Sequence, residues 1–138
     1  MINSFTLPLL PVLVAAIVHV FLSALWFNAP FLFAKPWLEA IEKTAEQVAD
    51  EFSPLKIVYA LITSLLFTAA LGVVLQWSGI TRTLPAALLG AIAGLLLAST
   101  QSSVRAVFEG RSPNLMWIHA GHDLVTGAAA AAVLALWM

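Results

Sequence analysis

The chain has 138 residues, 62% of them hydrophobic and only 9% charged, with a formal net charge of −1 and no cysteine. Soluble domains carry about 25% charged residues, so this composition excludes a soluble enzyme, and its apolar excess equally excludes a disordered chain. The charge balance offers no basic footprint for nucleic acid, and the lack of cysteine excludes disulfide scaffolds and thiolate metal sites.

The first apolar run extends from about Leu7 to Phe27. It is longer than a signal-peptide core, and the flank Met1 to Thr6 has no Lys or Arg, so it reads as a retained span. The loop 28–53 follows. Pro36 suits a first helical position, and Trp37, Leu38, Ile41, Ala45, Val48 and Phe52 share a face at helical spacing. Thr44 with Gln47 resembles a capping box, so the loop reads as two short helices broken near Lys43 and Thr44. Five acids and one Lys between Glu39 and Glu51 repel anionic lipid and favour packing on protein.

Three further runs cover 55–77, 84–104 and 114–137. Each of the four is about 20 residues or longer, enough to cross ~30 Å of hydrocarbon as a helix. The expectation is one all-α integral membrane domain over 1–138, a four-helix up-and-down bundle with a short amphipathic helical segment in the first loop. Lys35, Lys43, Lys56, Arg105 and Arg111 fall at one end of the spans and only Arg82 at the other, which puts the 28–53 loop in the cytoplasm and both termini outside. Trp26, Trp77, Trp117 and Trp137 lie near span ends, where amphipathic rings settle.

Small residues recur every fourth position in the third span: Ala86, Gly90, Gly94, Ala98 and Ser102. Ala60, Ser64, Thr68 and Gly72 do so in the second. Gly90 and Gly94 form a GxxxG packing motif, and such ridges serve packing within the chain or between copies. A homo-oligomer, with a dimer favoured, is expected through part of this ridge or the face from Ala128 to Ala132.

Ionisable groups inside spans are costly and need an explanation. His19, Thr63, Ser64, Gln101, His119, His122 and Asp123 fall in one layer in the cytoplasmic half, while the outer half is almost purely apolar. His119, His122 and Asp123 share a face at i, i+3 and i+4. With His19 they could ligate a metal, two histidines could hold haem, or the set could relay protons. The alternative is a structural role, with His19 and Asp123 hydrogen-bonded to hydroxyls, to backbone or to each other and His119 in the headgroup zone. A shared layer would bring His19 and Asp123 within a direct or water-mediated hydrogen bond, near Thr63 or Ser64. No metal or other cofactor is assigned. No nucleophile–base pattern or phosphate loop is apparent, so no enzymatic activity is expected. Arg105, Glu109 and Arg111 frame a tight hairpin in which Glu109 pairs with either arginine. Ser112 and Pro113 cap and start the fourth helix. An anion or headgroup site made by both arginines is the alternative use of that hairpin.

Around Ala24-Leu25-Trp26-Phe27, Leu32-Phe33-Ala34-Lys35-Pro36-Trp37, Phe108-Glu109-Gly110-Arg111-Ser112 and Ala120-Gly121, the chain resembles a family of small four-span bacterial membrane proteins, number 1761 in the domain-of-unknown-function series. The resemblance covers nearly the whole chain. It implies four helices, an aromatic-rich first loop, the Glu-Gly-Arg hairpin and a bacterial inner-membrane setting, but no activity. Two functions remain open: proton- or ion-coupled transport through the polar layer, or a non-catalytic accessory role beside another membrane protein.

Overall fold

The computed structural model describes residues 6–138; most of the flank Met1 to Thr6 lies outside them. Six helices follow in order: α1 Leu9–Asn28, α2 Ala34–Ala40, α3 Ala45–Asp50, α4 Pro54–Ser78, α5 Thr83–Phe108 and α6 Pro113–Ala135. Helices α1, α4, α5 and α6 are each long and apolar enough to cross a membrane. Chain punctuation sets their ends. Ser53 and Ser112 precede prolines at the first turns of α4 and α6, where the missing N–H costs nothing. Gly79 and Gly110, both at φ 67°, end α4 and turn the hairpin in a conformation that glycine adopts without strain.

The bundle is organised around α6. Of its most apolar stretch 44% is buried, against 22% for each of the other spans, which fits its lower hydropathy. Helix α6 packs on α1, α4 and α5, and α1 also packs on α4. Among the described residues α4 and α5 make at most marginal contact, although they follow one another in the chain. The up-and-down path therefore closes through the fourth span, and α5 depends on α6 for its packing.

Glycine makes that dependence possible. A Cβ on Gly90 would lie 2.1 Å from the Gly127 carbonyl oxygen, and one on Gly94 only 1.9 Å from that of Asp123. The GxxxG motif is thus used inside the chain, backbone against backbone, and is not free for a second copy. The four-residue ridge then loses its phase. From Ala93 to Ala98 the helix widens into a π turn, which adds about one residue to the turn. Ser99 is buried there, whereas Ala98 and Ser102 are only half-buried.

The half of the bundle holding the chain ends is sealed by Val12, Ala15, Leu71, Leu75, Ala86, Ala130, Ala131 and Leu134. At the opposite end, α2 lies against the start of α6. Helix α2 begins at Ala34, so Pro36 is its third residue and not its first; its absent N–H is still one of the unpaired first-turn donors. Glu42, at φ 56°, turns the chain into α3. The Thr44 and Gln47 capping box is formed in both directions, at 3.2 and 2.8 Å, and Lys43 clamps Glu51 at 2.6 Å.

Candidate functional site

Polar side chains converge where α1, α4 and α6 meet in the half nearer the 28–53 loop. His19 faces α4, with Nδ1 2.9 Å from the buried Ser64 Oγ. One turn along α1, Ser23 Oγ lies 2.7 Å from the His19 carbonyl oxygen and 2.8 Å from His122 Nε2. His122 is buried, and its Nδ1 is 2.8 Å from Asp123 Oδ1. Thr126 donates to the His122 carbonyl at 2.8 Å. The result is a chain of contacts from Ser23 through His122 to Asp123, with the His19 and Ser64 pair beside it.

Rings close the chain off. Phe27 lies 5.0 Å and His19 6.0 Å from the His122 ring, centre to centre. Trp26 stands edge-on to it at 6.2 Å and stacks on Phe33 at 4.3 Å. Gly121 makes room for this indole, since a Cβ there would sit 3.1 Å from Trp26 Cζ2. Trp26 is therefore not a peripheral anchor like the exposed Trp77 and Trp117 but a roof over the site. Its buried Nε1 has no hydrogen-bond partner among the described residues.

The decisive feature is proton arithmetic at Ser23. A hydroxyl has one proton to donate, yet Ser23 stands within bonding distance of two acceptors. If it donates to the His19 carbonyl, His122 Nε2 must carry a hydrogen and donate to Ser23. If it donates to Nε2, that nitrogen is bare. In both arrangements a proton lies between His122 Nδ1 and the Asp123 carboxylate. The two hydrogen-bond patterns thus differ by one proton on the His122–Asp123 pair, and passing between them needs that proton to enter or leave the pair as the hydroxyl turns. A cleft of about 400 Å³ lined by Asn28, Lys56, Ser23, Ser64, His19 and His122 leads from the ends of α1 and α4 to this point.

The geometry revises several expectations. His19 and Asp123 make no direct hydrogen bond with each other: His19 bonds the Ser64 hydroxyl, as the structural alternative allowed, and the carboxylate bonds its own neighbour. Thr63 returns its hydroxyl to the carbonyls of Tyr59 and Ala60 and lines the same cleft as Ser64 without bonding His19. Gln101 lies on the exposed side of α5. Neither joins the cluster, because equal depth along a helix does not give equal facing. His119 is half-buried against Phe27 at 5.7 Å and opens on a separate cavity with Arg105, Glu109 and Arg111. Glu109 chooses Arg111, at 2.5 Å. Among the described residues no three His, Asp or Glu side chains converge as metal ligands. Ser23 was absent from the sequence reading, although it lies one turn from His19 on the same face. With it the order Ser–His–Asp appears, which helical spacing did not reveal.

A family model described as a protein of unknown function (DUF1761) matches residues 10–135. The chain belongs to this family. Several residues that carried the resemblance meet at the site: Trp26, Phe27, Phe33 and Gly121 enclose His122. No curated protein and no solved structure matches the chain, so the family supplies architecture and no chemistry.

Proposed function

We propose that this protein is a non-enzymatic, proton-handling membrane protein that couples proton uptake at the His122–Asp123 pair to movement of a small solute. In this reading it sits in a bacterial inner membrane with the 28–53 loop in the cytoplasm, and the cleft between α1 and α4 is the cytoplasmic route to the site. The observation that carries it is the Ser23 hydroxyl, poised between the His19 carbonyl at 2.7 Å and His122 Nε2 at 2.8 Å. Buried ionisable groups in spans mark proton and ion pathways, and here the alternative proton states share almost the same heavy-atom positions. The apolar half around Leu71, Leu75 and Leu134 is then the closed gate of an inward-facing state. Proteoliposomes holding a pH-sensitive dye test this. Wild-type protein should carry protons after a pH step, and Ser23→Ala and Asp123→Asn should each reduce the rate at least about tenfold, a barrier change of about 1.4 kcal/mol. Equal flux in wild type and both variants would overturn the reading.

One observation favours a second reading. Ser23, His122 and Asp123 stand in the order nucleophile, base and orienter, joined at 2.8 Å and 2.8 Å. A fluorophosphonate probe decides between the two: adduct at Ser23, lost in His122→Phe, supports serine chemistry, and an unlabelled protein removes it.

A further inference from the structure

We infer that the hairpin end of α5 and α6 holds a second, separate site, which binds a phosphate group at the membrane interface. A cavity of about 260 Å³ lies there between the last turns of α5 and the first turns of α6. Its polar lining is Ser102, Ser103, Arg105, Glu109, Arg111 and His119, backed by Leu115 and Met116. That volume lies below the roughly 300 Å³ at which drug-sized pockets begin, so it suits a headgroup-sized anion.

Free donor capacity is concentrated on this cavity. Arg111 gives its Nε to Glu109 at 2.5 Å, and among the described residues its terminal Nη groups bond no carboxylate. Arg105 makes no ion pair at all among them. Both arginines thus keep the planar fork that grips phosphate oxygens two at a time. The hydroxyls add a finer sign. Ser99, Thr100 and Ser102 each donate back to the carbonyl one turn earlier, the usual refuge for hydroxyls in a helix. Among the described residues Ser103 returns no such bond, and it lines the cavity instead. His119 offers a further ring nitrogen from the α6 side. One carboxylate faces two guanidiniums, leaving an excess positive charge for an anion.

Neither the proton site nor its residues are needed for this inference. The two sites share only α6, and His119 points to this one while His122 points to the other. The ligand chemistry is a phosphate mono- or diester, which a lipid headgroup or a soluble phosphate could supply. The site sits at the end of the spans, where headgroups lie, and the exposed Val104, Val107 and Phe108 on α5 offer apolar surface beside it.

The test uses the full chain in phosphatidylcholine nanodiscs. One arm adds phosphatidic acid at low mole fraction and reads retained lipid by native mass spectrometry. The other adds inorganic phosphate alone and reads binding by 31P line broadening. Binding in the first arm identifies a headgroup, and binding in the second a soluble phosphate. Either should fall at least about tenfold in Arg105→Gln/Arg111→Gln, since charge-assisted bonds are worth that much or more. Glu109→Gln should bind more tightly, because it frees the second guanidinium. This variant keeps the inference testable should the double substitution disturb the hairpin. Equal signals from wild type and the double variant in both arms, or weaker binding by Glu109→Gln, would overturn it.

Discussion

Gly94→Ala is the most severe single-methyl change the packing allows. The new Cβ would stand 1.9 Å from the Asp123 carbonyl oxygen and 2.6 Å from its carbon. Ordinary contact begins at 3.4 Å, so 3.4 less 1.9 leaves a 1.5 Å overlap. Both groups are backbone, so no side chain can turn aside; α5 and α6 must separate or bend. Overpacking costs about 1–3 kcal/mol, and the rigidity of both partners puts this case at the upper end. A Gly to Ala change within a helix returns about 1 kcal/mol, which leaves a net loss of about 2 kcal/mol. Because α5 has no other substantial partner among the described helices, the separation should extend along its length. Reversible unfolding in mixed micelles gives the energy, and spin labels on α5 and α6 give the distance. Ile92→Ala, on the exposed side of the same helix, is the control and should change the interhelical distance little. If Gly94→Ala unfolds within about 0.5 kcal/mol of wild type, the range of an ordinary surface change, with the label distance unchanged, the backbone contact is refuted.

Three other outcomes follow from the same contacts. Asp123→Ala strands His122 Nδ1, not His19 as the depth argument alone suggests; the loss should be about 1–3 kcal/mol in the same unfolding assay, with Asp123→Asn costing less because the amide oxygen still accepts. The hydrogen bond and charge of Lys43 hold the Glu51 carboxyl below its usual range, so the clamp is present above the ordinary carboxylate range and is lost as the pH falls through that lowered value. Hydrogen exchange in α3 should therefore quicken in acid, and Lys43→Met should be equally quick at neutral pH. Finally, cysteines at Gln47 and at Thr81 should react with an impermeant reagent from opposite faces of the membrane, Gln47 from the cytoplasm; the reverse pattern would invert the proposed orientation.

The spans were legible because length and apolarity alone fix a membrane helix: the run read as 55–77 is Pro54–Ser78, and that read as 114–137 is Pro113–Ala135. The loop helices were legible through Thr44 and Gln47, whose cap depends on local spacing only. The small-residue ridge was read correctly as far as Gly94 and then failed, because a π turn is a response to packing that no four-residue repeat announces. At the site, depth along each helix could be counted but rotation could not. That is why Ser64 was found beside His19 while Thr63, one residue earlier, bonds its own helix instead. The bond between His122 and Asp123 joins adjacent residues, which ideal helical geometry places on different faces; only the side-chain rotamers in the folded bundle bring them together. Trp26 looked like an interfacial ring from its place near a helix end, and its role became visible only with Gly121 opposite it.

Whether the His122–Asp123 pair exchanges one proton with its surroundings as Ser23 turns can be read from 15N spectra of the His122 imidazole in lipid bilayers. Two forms of the ring are expected, one with a hydrogen on Nε2 and one with that nitrogen bare, both keeping the Nδ1 contact to Asp123. Ser23→Ala, which removes the rotating hydroxyl, should shift the balance between them. A single Nε2 form, or a balance that Ser23→Ala leaves unchanged, would overturn this reading.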